Sequence, residues 1–253
     1  MPILEAACIS HNSKVAVYFH FLTSGRFAAY RPKLSKNDIL GLPIPSPAPG
    51  LLDGVASYLA LDARAFELFS LKDAERVLIE DALEYTLDDF LGGDGSKGKQ
   101  PTTYSNLTEN EAHLRAYCAY FLRVLKAGFG NERPVSATVF HSRSENMPYR
   151  LIAFRLGGEA GNEFEVKNIR SSALLEEFGR LNQKAGNSNG GIYNQRVARI
   201  YDASSGVPTV FVIKPNQKRF WTRSMGLQDA DEVALDLFRW QQQAVPEDEK
   251  ALH

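Results

Sequence analysis

The run Lys214–Arg223 (KPNQKRFWTR) has a composition typical of a nucleic-acid contact, because it mixes four basic residues with two aromatic ones. Lysine and arginine neutralise phosphates, and aromatic rings stack on bases. The candidate DNA-binding residues of this run are Lys214, Lys218, Arg219, Trp221 and Arg223. An alternative stays open because short basic runs are weak motifs: Phe220 and Trp221 would anchor a core at a turn between a strand and a helix, while the basic side chains are solvated.

A second basic group lies near the N-terminus, at the end of an apolar and aromatic stretch. Residues 13–30 (SKVAVYFHFLTSGRFAAY) are too few for periodicity alone to separate a strand from a buried helix, and we favour a helix. Arg26, Arg31 and Lys33 lie at the end of this stretch and just beyond it. They complete the predicted set of DNA-binding residues.

The residue types that most often carry catalysis are not arranged as in the common catalytic sites. The five histidines include no HxH, HxxxH or HExxH pair, and Cys8 and Cys118 form no CxxC. The one GxSxG match, Gly186–Gly190 (GNSNG), lies in a stretch with the composition of a turn. Glu163, Glu165 and Lys167 alternate, so on a strand their side chains would share one face, as in the E-x-K end of many nucleases. Such an enzyme also needs an upstream carboxylate to share its metal ion, and no predicted strand supplies one. We therefore predict no catalytic residue, no metal site and no cofactor.

Composition and charge set the broad class. With 253 residues, of which 44% are hydrophobic and 23% charged, the chain is long and apolar enough to fold into one or two domains. The formal net charge of -1 gives no general attraction to nucleic acid, so DNA binding would need a local patch. Two cysteines suit a reducing compartment, the N-terminus carries an acid where a secretory signal needs positive charge, and no stretch reaches the roughly 18 apolar residues of a membrane span. We predict a cytoplasmic protein that does not contact a membrane.

The first 130 residues are predicted to be mainly helical. The segment 42–50 (LPIPSPAPG) has four prolines and must be an extended connector. Helical patterning follows over 51–90, and 92–100 (GGDGSKGKQ) has the composition of a flexible linker. Thr108–Glu111 fits a capping box that opens a helix reaching about Lys126. The buried stripe of that helix is predicted to be Leu114, Tyr117, Phe121, Val124 and Leu125.

After residue 130 the pattern changes from a helical period to alternation. Strands are predicted at 135–140, 149–154, 164–169, 193–201 and 209–213, and helices at about 171–184 and 229–242. The order β-β-β-α-β-β-α favours an α+β fold, with a helical N-terminal part followed by an antiparallel sheet with packed helices, because parallel pairing of successive strands needs a crossover. We therefore divide the chain into a recognition-like segment with its proline-rich connector (1–50), a helical domain (51–130) and an α+β antiparallel-sheet domain (131–253).

Three phrases near the N-terminus carry a family resemblance: Tyr18–Phe27 (YFHFLTSGRF), Tyr30–Leu34 (YRPKL) and Leu40–Pro45 (LGLPIP). They resemble the end of the target-recognition region in N6-adenine DNA methylases of restriction-modification and phage-defence systems, where a helix ending in a Thr-Ser or Ser-Ser pair leads into an lPiP segment. Later phrases are similar to the C-terminal region of some of those proteins, so the resemblance spans most of the chain. These phrases are Leu78–Phe90, Ser136–Phe140, Gln195–Asp202 and Arg219–Glu232.

The chain departs from these methylases at the catalytic motifs. They hold the flipped adenine with a D/N-P-P-Y/F tetrad, and no two prolines are adjacent in this sequence. A glycine-rich loop for the methyl donor is also missing. The resemblance therefore implies a non-catalytic DNA-specificity or docking subunit, encoded as a separate chain, with a DNA methylase core protein and DNA as its partners. Two alternatives remain open: a protein-interaction subunit that never contacts DNA, and a metal-dependent nuclease.

Overall fold

The computed structural model describes residues 1–24, 33–102, 107–129, 134–142, 147–157, 161–170, 198–203 and 206–244, together with a few positions between 172 and 179. The chain divides into two compact units, Met1–Gln100 and Pro101–His253. The sequence predicted three segments instead, with boundaries at 50 and 130. The difference arises because residues 1–50 share a core with the segment that follows them, and because the long helix before residue 130 packs on the sheet.

The first unit is helical, as predicted. Its helices are α1 (Pro2–His11), α2 (Lys14–Thr23), α3 (Lys36–Leu40), α4 (Tyr58–Leu68), α5 (Asp73–Asp81) and α6 (Asp88–Gly92), with a π-helical segment (Ala82–Leu87) between the last two and 3-10 turns at Gly93–Gly95 and Lys97–Lys99. Helix α2 confirms the helix favoured for the start of the 13–30 stretch. Residues 25–32 lie outside the described residues.

The proline-rich connector contains neither helix nor strand, as predicted, and it lies against α1. The Ser10 hydroxyl donates to the carbonyl of Pro43 at 2.6 Å. The Leu51 amide, just beyond the connector, donates to the Glu5 carboxylate at 2.8 Å. Leu51 is buried in a cluster that also contains Ala65 of α4. The first 50 residues are therefore part of the helical unit and not a separate domain.

The glycine-rich segment 92–100 is held by hydrogen bonds to the helix before it, so the prediction of a flexible linker is wrong. The Lys97 amide donates to the Asp88 carboxylate at 2.5 Å, and the Ser96 hydroxyl donates to the Asp89 carboxylate. Ser96 is almost fully buried. Small and charged residues are typical of linkers, but here the carboxylates of α6 satisfy the backbone and side chain of the segment.

The second unit contains helix α7 (Leu107–Phe129), strands β1 (Val135–Ser142), β2 (Tyr149–Leu156), β3 (Phe164–Ile169), β4 (Ala198–Asp202) and β5 (Thr209–Pro215), a 3-10 turn (Lys218–Phe220) and helix α8 (Arg223–Ala244). The predicted order of these strands and helices is confirmed. Helical residues also occur at 172–173, 176–177 and 179, within the helix predicted at 171–184. The remainder of that helix, residues 193–197 and the side chains of the capping box at 108–110 lie outside the described residues.

The five strands form one sheet in the order β3-β1-β2-β5-β4. The pairs β1–β2, β2–β5 and β4–β5 are antiparallel, whereas β1 and β3 are parallel, with Thr138 opposite Glu165. The α+β class is confirmed, and the expectation of an antiparallel sheet is corrected at this one pair. The crossover rule applies to successive strands, and β2 already returns the chain to the start of β1. β3 can therefore pair with β1 in parallel without a long crossover.

Helices α7 and α8 pack on one face of the sheet and form the main core. The stripe predicted for α7 is confirmed, with Leu114, Tyr117, Phe121 and Leu125 buried and Val124 partly buried. The ring of Phe121 stacks on that of Phe154 in β2, with centroids 3.6 Å apart and planes 10° from parallel. The opposite face of the sheet carries a smaller apolar cluster that includes Leu151 and Phe211.

Candidate interaction surfaces

Lys214, the first residue of the basic run, lies inside the second unit and not on its surface. It is the penultimate residue of β5, and 0% of it is exposed. Its ammonium donates to the carbonyl of Phe220 at 3.0 Å and pairs with the Asp229 carboxylate of α8. The rings of Tyr117 and Trp221 lie 5.1 and 5.4 Å from the ammonium, within cation–π range. The charge of Lys214 is thus neutralised within the protein.

The surroundings of Lys214 shift its pKa and that of Tyr117. Burial lowers the pKa of Lys214 because the charged form loses its hydration, and the Asp229 carboxylate acts against this shift. The Tyr117 hydroxyl donates to the same carboxylate at 2.7 Å, and burial together with this negative charge raises the pKa of Tyr117 well above its usual value. Arg199 of β4 completes the group, 3.5 Å from Asp229 and paired with Glu232. These contacts tie β4, β5, α7 and α8 together, which is a structural role.

Trp221 and Lys218 are also buried. Trp221 is 0% exposed, and its indole N–H donates to the carbonyl of Pro215 at 2.9 Å. Lys218 is 5% exposed. The prediction that Lys214, Lys218 and Trp221 contact DNA is therefore wrong for this fold, because such contact requires exposed side chains. The alternative of a core anchor between β5 and α8 is confirmed for Trp221, whereas its expectation of solvated basic side chains is wrong for Lys214 and Lys218.

Arg219 and Arg223 are the members of the basic run that keep partly exposed side chains. Arg219 Nε donates to Gln217 Oε1 at 3.1 Å, and its guanidinium lies 4.9 Å from the centre of the Phe220 ring. Arg223 is the first residue of α8. Of the five residues of this run that were predicted to bind DNA, these two arginines are therefore the ones with side-chain surface left for such a contact.

Lys33 is the one residue of the predicted N-terminal basic group that the structure describes, and its side chain is exposed. Arg26 and Arg31, predicted to bind DNA with it, lie outside the described residues. Lys33 belongs to the first unit, whereas Arg219 and Arg223 belong to the second. The two predicted groups of DNA contacts are thus parts of different units.

The alternating Glu163, Glu165 and Lys167 do not share one face of β3. Glu163 precedes the strand and pairs with Lys126 of α7 at 2.7 Å, on the side of the sheet that the helices cover. Glu165 lies beside Thr138 on the other face, and Lys167 follows it there by the alternation of the strand. The prediction of a common face is therefore wrong for Glu163. In the described parts of the chain, no group of three His, Cys, Asp or Glu side chains is arranged to hold a metal ion.

A polar cleft with a volume of about 320 Å³ lies on the sheet face away from α7 and α8. Arg155 of β2 and Glu165 of β3 line its two sides, and Ser136 and Thr138 of β1 lie between them. It is bordered by residues of the β2–β3 connection, among them Gly157, Gly161 and Asn162. Sequence reasoning missed this cleft. The Ser-x-Thr alternation of β1 was its only signal, and that pattern does not show which side chains of neighbouring strands lie beside it.

Exposed apolar side chains are concentrated in the first unit. Among the described residues, all but three of the strongly exposed large apolar side chains belong to it, the exceptions being Tyr149, Leu235 and Phe238. Four of them lie on α3 or directly beside it. These four, which we call the α3 patch, are Leu34 (37% exposed), Ile39 (44%), Leu40 (70%) and Ile44 (46%).

No protein-family model, no curated protein and no solved structure matches this chain. Within the ranges that the structure describes, no helix is long and apolar enough to cross a membrane. The function must therefore be argued from the surfaces described above.

Proposed function

We propose that this chain is a non-catalytic docking subunit of a DNA-modifying assembly, and that its first unit binds the partner protein through the α3 patch. The observation that carries this proposal is the exposure of four large apolar side chains close together along the chain. Removing such surface from water contributes about 25 cal/mol for each Å², from which the entropic cost of association is subtracted. Apolar side chains exposed singly are normal, whereas a local group of them is typical of an interaction site.

The α3 patch is carried by a segment with a defined shape, which favours docking. Ser35 caps α3: its hydroxyl accepts from the Asp38 amide at 3.2 Å, and its own amide donates to the Asp38 carboxylate at 2.7 Å. Leu42, just beyond the helix, is buried and anchors the segment. Such preorganisation lowers the entropy that binding would otherwise cost. Lys33 and Lys36 are exposed beside the patch, so a partner surface with apolar and acidic side chains would complement it.

The resemblance to N6-adenine DNA methylases supports a methylase core as this partner. The chain lacks the D/N-P-P-Y/F tetrad, so the partner would supply methyl transfer while this chain contributes binding. The α3 patch also overlaps Tyr30–Leu34 and Leu40–Pro45, two of the phrases that carry the resemblance. A role in docking would explain why these phrases keep apolar side chains on the surface.

Co-expression with a methylase core protein tests the proposal. Leu40→Asp is expected to abolish co-purification of the two proteins after nuclease treatment, because it places a charge in an apolar contact. Leu235→Asp is the matched control, since Leu235 is 55% exposed in the second unit, and it should leave the complex intact. Thermal unfolding of both variants separates loss of binding from loss of folding. A complex that survives Leu40→Asp, or that needs nucleic acid to persist, contradicts the proposal.

A second function, direct DNA contact, is favoured by the position of Arg219 and Arg223. Both have partly exposed side chains, Arg219 in the 3-10 turn that leads into α8 and Arg223 at the first residue of α8. Two arginines at this place would hold DNA by its phosphates, and such contacts position a protein without reading sequence. Docking and DNA contact use different units, so one chain can perform both.

A further inference from the structure

The polar cleft of the second unit is a site that neither docking nor the DNA contact uses. Ser136 of β1 pairs in register with Arg155 of β2, and Thr138 of β1 pairs with Glu165 of β3. Side chains of directly paired residues point to the same face of a sheet. Two hydroxyls therefore lie on the strand between one cation and one anion.

Arg155 and Glu165 are both exposed, and neither forms an ion pair with another described residue. Their strands are separated by β1, so the two backbones lie about 10 Å apart across the sheet. Ser136 and Thr138 are two positions apart along β1, so their partners Arg155 and Glu165 are also offset along the strand direction. The two opposite charges thus lie on either side of an open cleft with a floor of hydroxyl groups.

We propose that this cleft binds a small zwitterion, a free α-amino acid, with its carboxylate on Arg155 and its ammonium on Glu165. A guanidinium binds a carboxylate through two parallel hydrogen bonds, and a carboxylate accepts readily from an ammonium. The Ser136 and Thr138 hydroxyls donate or accept as the ligand requires. Glu165 repels a ligand with only negative charge, and Arg155 repels one with only positive charge. The pair therefore selects a ligand that carries both.

The size and border of the cleft fit such a ligand. Its volume of about 320 Å³ is near the lower end of the range for small-molecule sites. At Gly157 and Gly161, an added Cβ would meet no described atom within 4 Å, so neither glycine is required by crowding from described residues. Gly157 also has a φ of +119°, which L side chains rarely adopt. The backbone conformation therefore favours glycine at position 157, on the edge of the cleft.

Amide chemical-shift titration of the full chain with each standard amino acid tests this proposal. Acetate and methylamine serve as probes that carry only one of the two charges. At least one amino acid is expected to shift the amides of Gly157, Gly161 and Asn162 saturably, with a Kd below about 10 mM. Both single-charge probes should bind at least about tenfold more weakly, because each loses one charge-assisted hydrogen-bonding group.

Two variants and two controls then assign the contacts. Arg155→Gln and Glu165→Gln should each raise the Kd of the bound amino acid at least about tenfold. Lys167→Gln, on the same face of β3, and Glu163→Gln, on the opposite face, should leave it unchanged. The proposal is overturned if no amino acid binds below this limit, if acetate binds as tightly as the best amino acid, or if the controls weaken binding as much as the two variants do. If one variant does not fold, the other still decides the outcome.

Discussion

Lys214 and Asp229 form an ion pair in which the two side chains are only 0% and 1% exposed. Moving two charges out of water is costly, so a buried pair persists only when further groups satisfy it. The Tyr117 hydroxyl donates to the carboxylate, and the carbonyl of Phe220 accepts from the ammonium. The pair joins the end of β5 to α8, so the packing of α8 against the sheet depends on it.

Asp229→Asn should strongly destabilise the second unit. The substitution leaves the ammonium of Lys214 buried without its counter-charge, which costs about 3–5 kcal/mol of unfolding free energy. Urea unfolding followed by circular dichroism measures this loss. Asp231→Asn is the control, because Asp231 is exposed on the same helix, and it should change stability very little.

The double variant Lys214→Met with Asp229→Asn provides a sharper check. It removes both charges, so it should cost clearly less than the sum of the two single substitutions. Additive losses would mean that the two side chains do not stabilise one another.

Cys118 should make stability depend on pH under alkaline conditions. Burial raises the pKa of its thiol above the ordinary value of 9.0, while Arg115 acts in the opposite direction. Above about pH 9 the unfolded chain loses this proton and the folded protein keeps it. The unfolded state then binds fewer protons, so the free energy of unfolding falls as the pH rises, by up to about 1.4 kcal/mol per pH unit. Urea unfolding of Cys118→Ala between about pH 8.5 and 10 should show a flatter profile than the parent protein.

Other titrating groups of the second unit do not obscure this comparison. Burial also raises the pKa of Tyr117 and of Tyr201. Both groups therefore lower the free energy of unfolding as the pH rises, in the parent protein and in the variant. Lys214 has the opposite effect on stability. Its pKa is lower in the folded protein, so between that value and pH 10.5 the unfolded state binds more protons and the free energy of unfolding rises with pH. The cavity left by the thiol lowers stability at every pH, so it does not change the slope. Parallel profiles would show that Cys118 is not responsible.

Gly98→Ala should loosen the segment 92–100. A Cβ at Gly98 would lie 2.7 Å from the carbonyl oxygen of Tyr85 and 2.8 Å from Asp89 Oδ1, so the segment would have to move. Overpacking of this kind costs about 1–3 kcal/mol. Faster tryptic cleavage after Lys97 would report the loss. At Gly95 an added Cβ meets nothing within 4 Å, so Gly95→Ala is the matched control. Equal cleavage rates in the two variants would indicate that the segment is a free linker.

The strands and the helix α7 were predictable because their signals are local. The alternation over 164–169 coincides with β3, and the stripe that includes Tyr117 and Phe121 is the buried face of α7. In both cases the side chain that faces the core is decided by the geometry of a single element. No knowledge of neighbouring elements was needed.

The burial of Lys214 and the polar cleft were not predictable, because both depend on contacts between distant elements. Composition cannot distinguish a solvated lysine from one that a distant acid neutralises, and Asp229 reaches Lys214 only when α8 turns back onto β5. Similarly, Glu165 lies beside Thr138 only because β3 pairs parallel to β1. Both sites depend on which elements pack together, and local pattern does not specify that.

Charge reversal separates the exposed members of the basic run from the buried ones. Arg219→Glu combined with Arg223→Glu should weaken binding to a labelled DNA duplex, and thermal unfolding of the double variant checks that it remains folded. An acid at position 223 is tolerated because it begins α8, where the helix dipole favours negative charge. If each arginine neutralises one phosphate, the dependence of log K on log salt should flatten by up to about two. Fluorescence anisotropy over a range of salt concentrations measures both effects.

Arg239→Glu is the matched control for this charge reversal. Arg239 lies on the same helix with 70% of its side chain exposed, and it is not part of the basic run. If Arg239→Glu weakens DNA binding as much as the double variant, the effect reflects overall charge and not a contact at the turn. Unchanged binding in the double variant would remove DNA contact from the second unit. The protein-interaction role of the first unit would then stand alone, since the α3 patch does not involve these arginines.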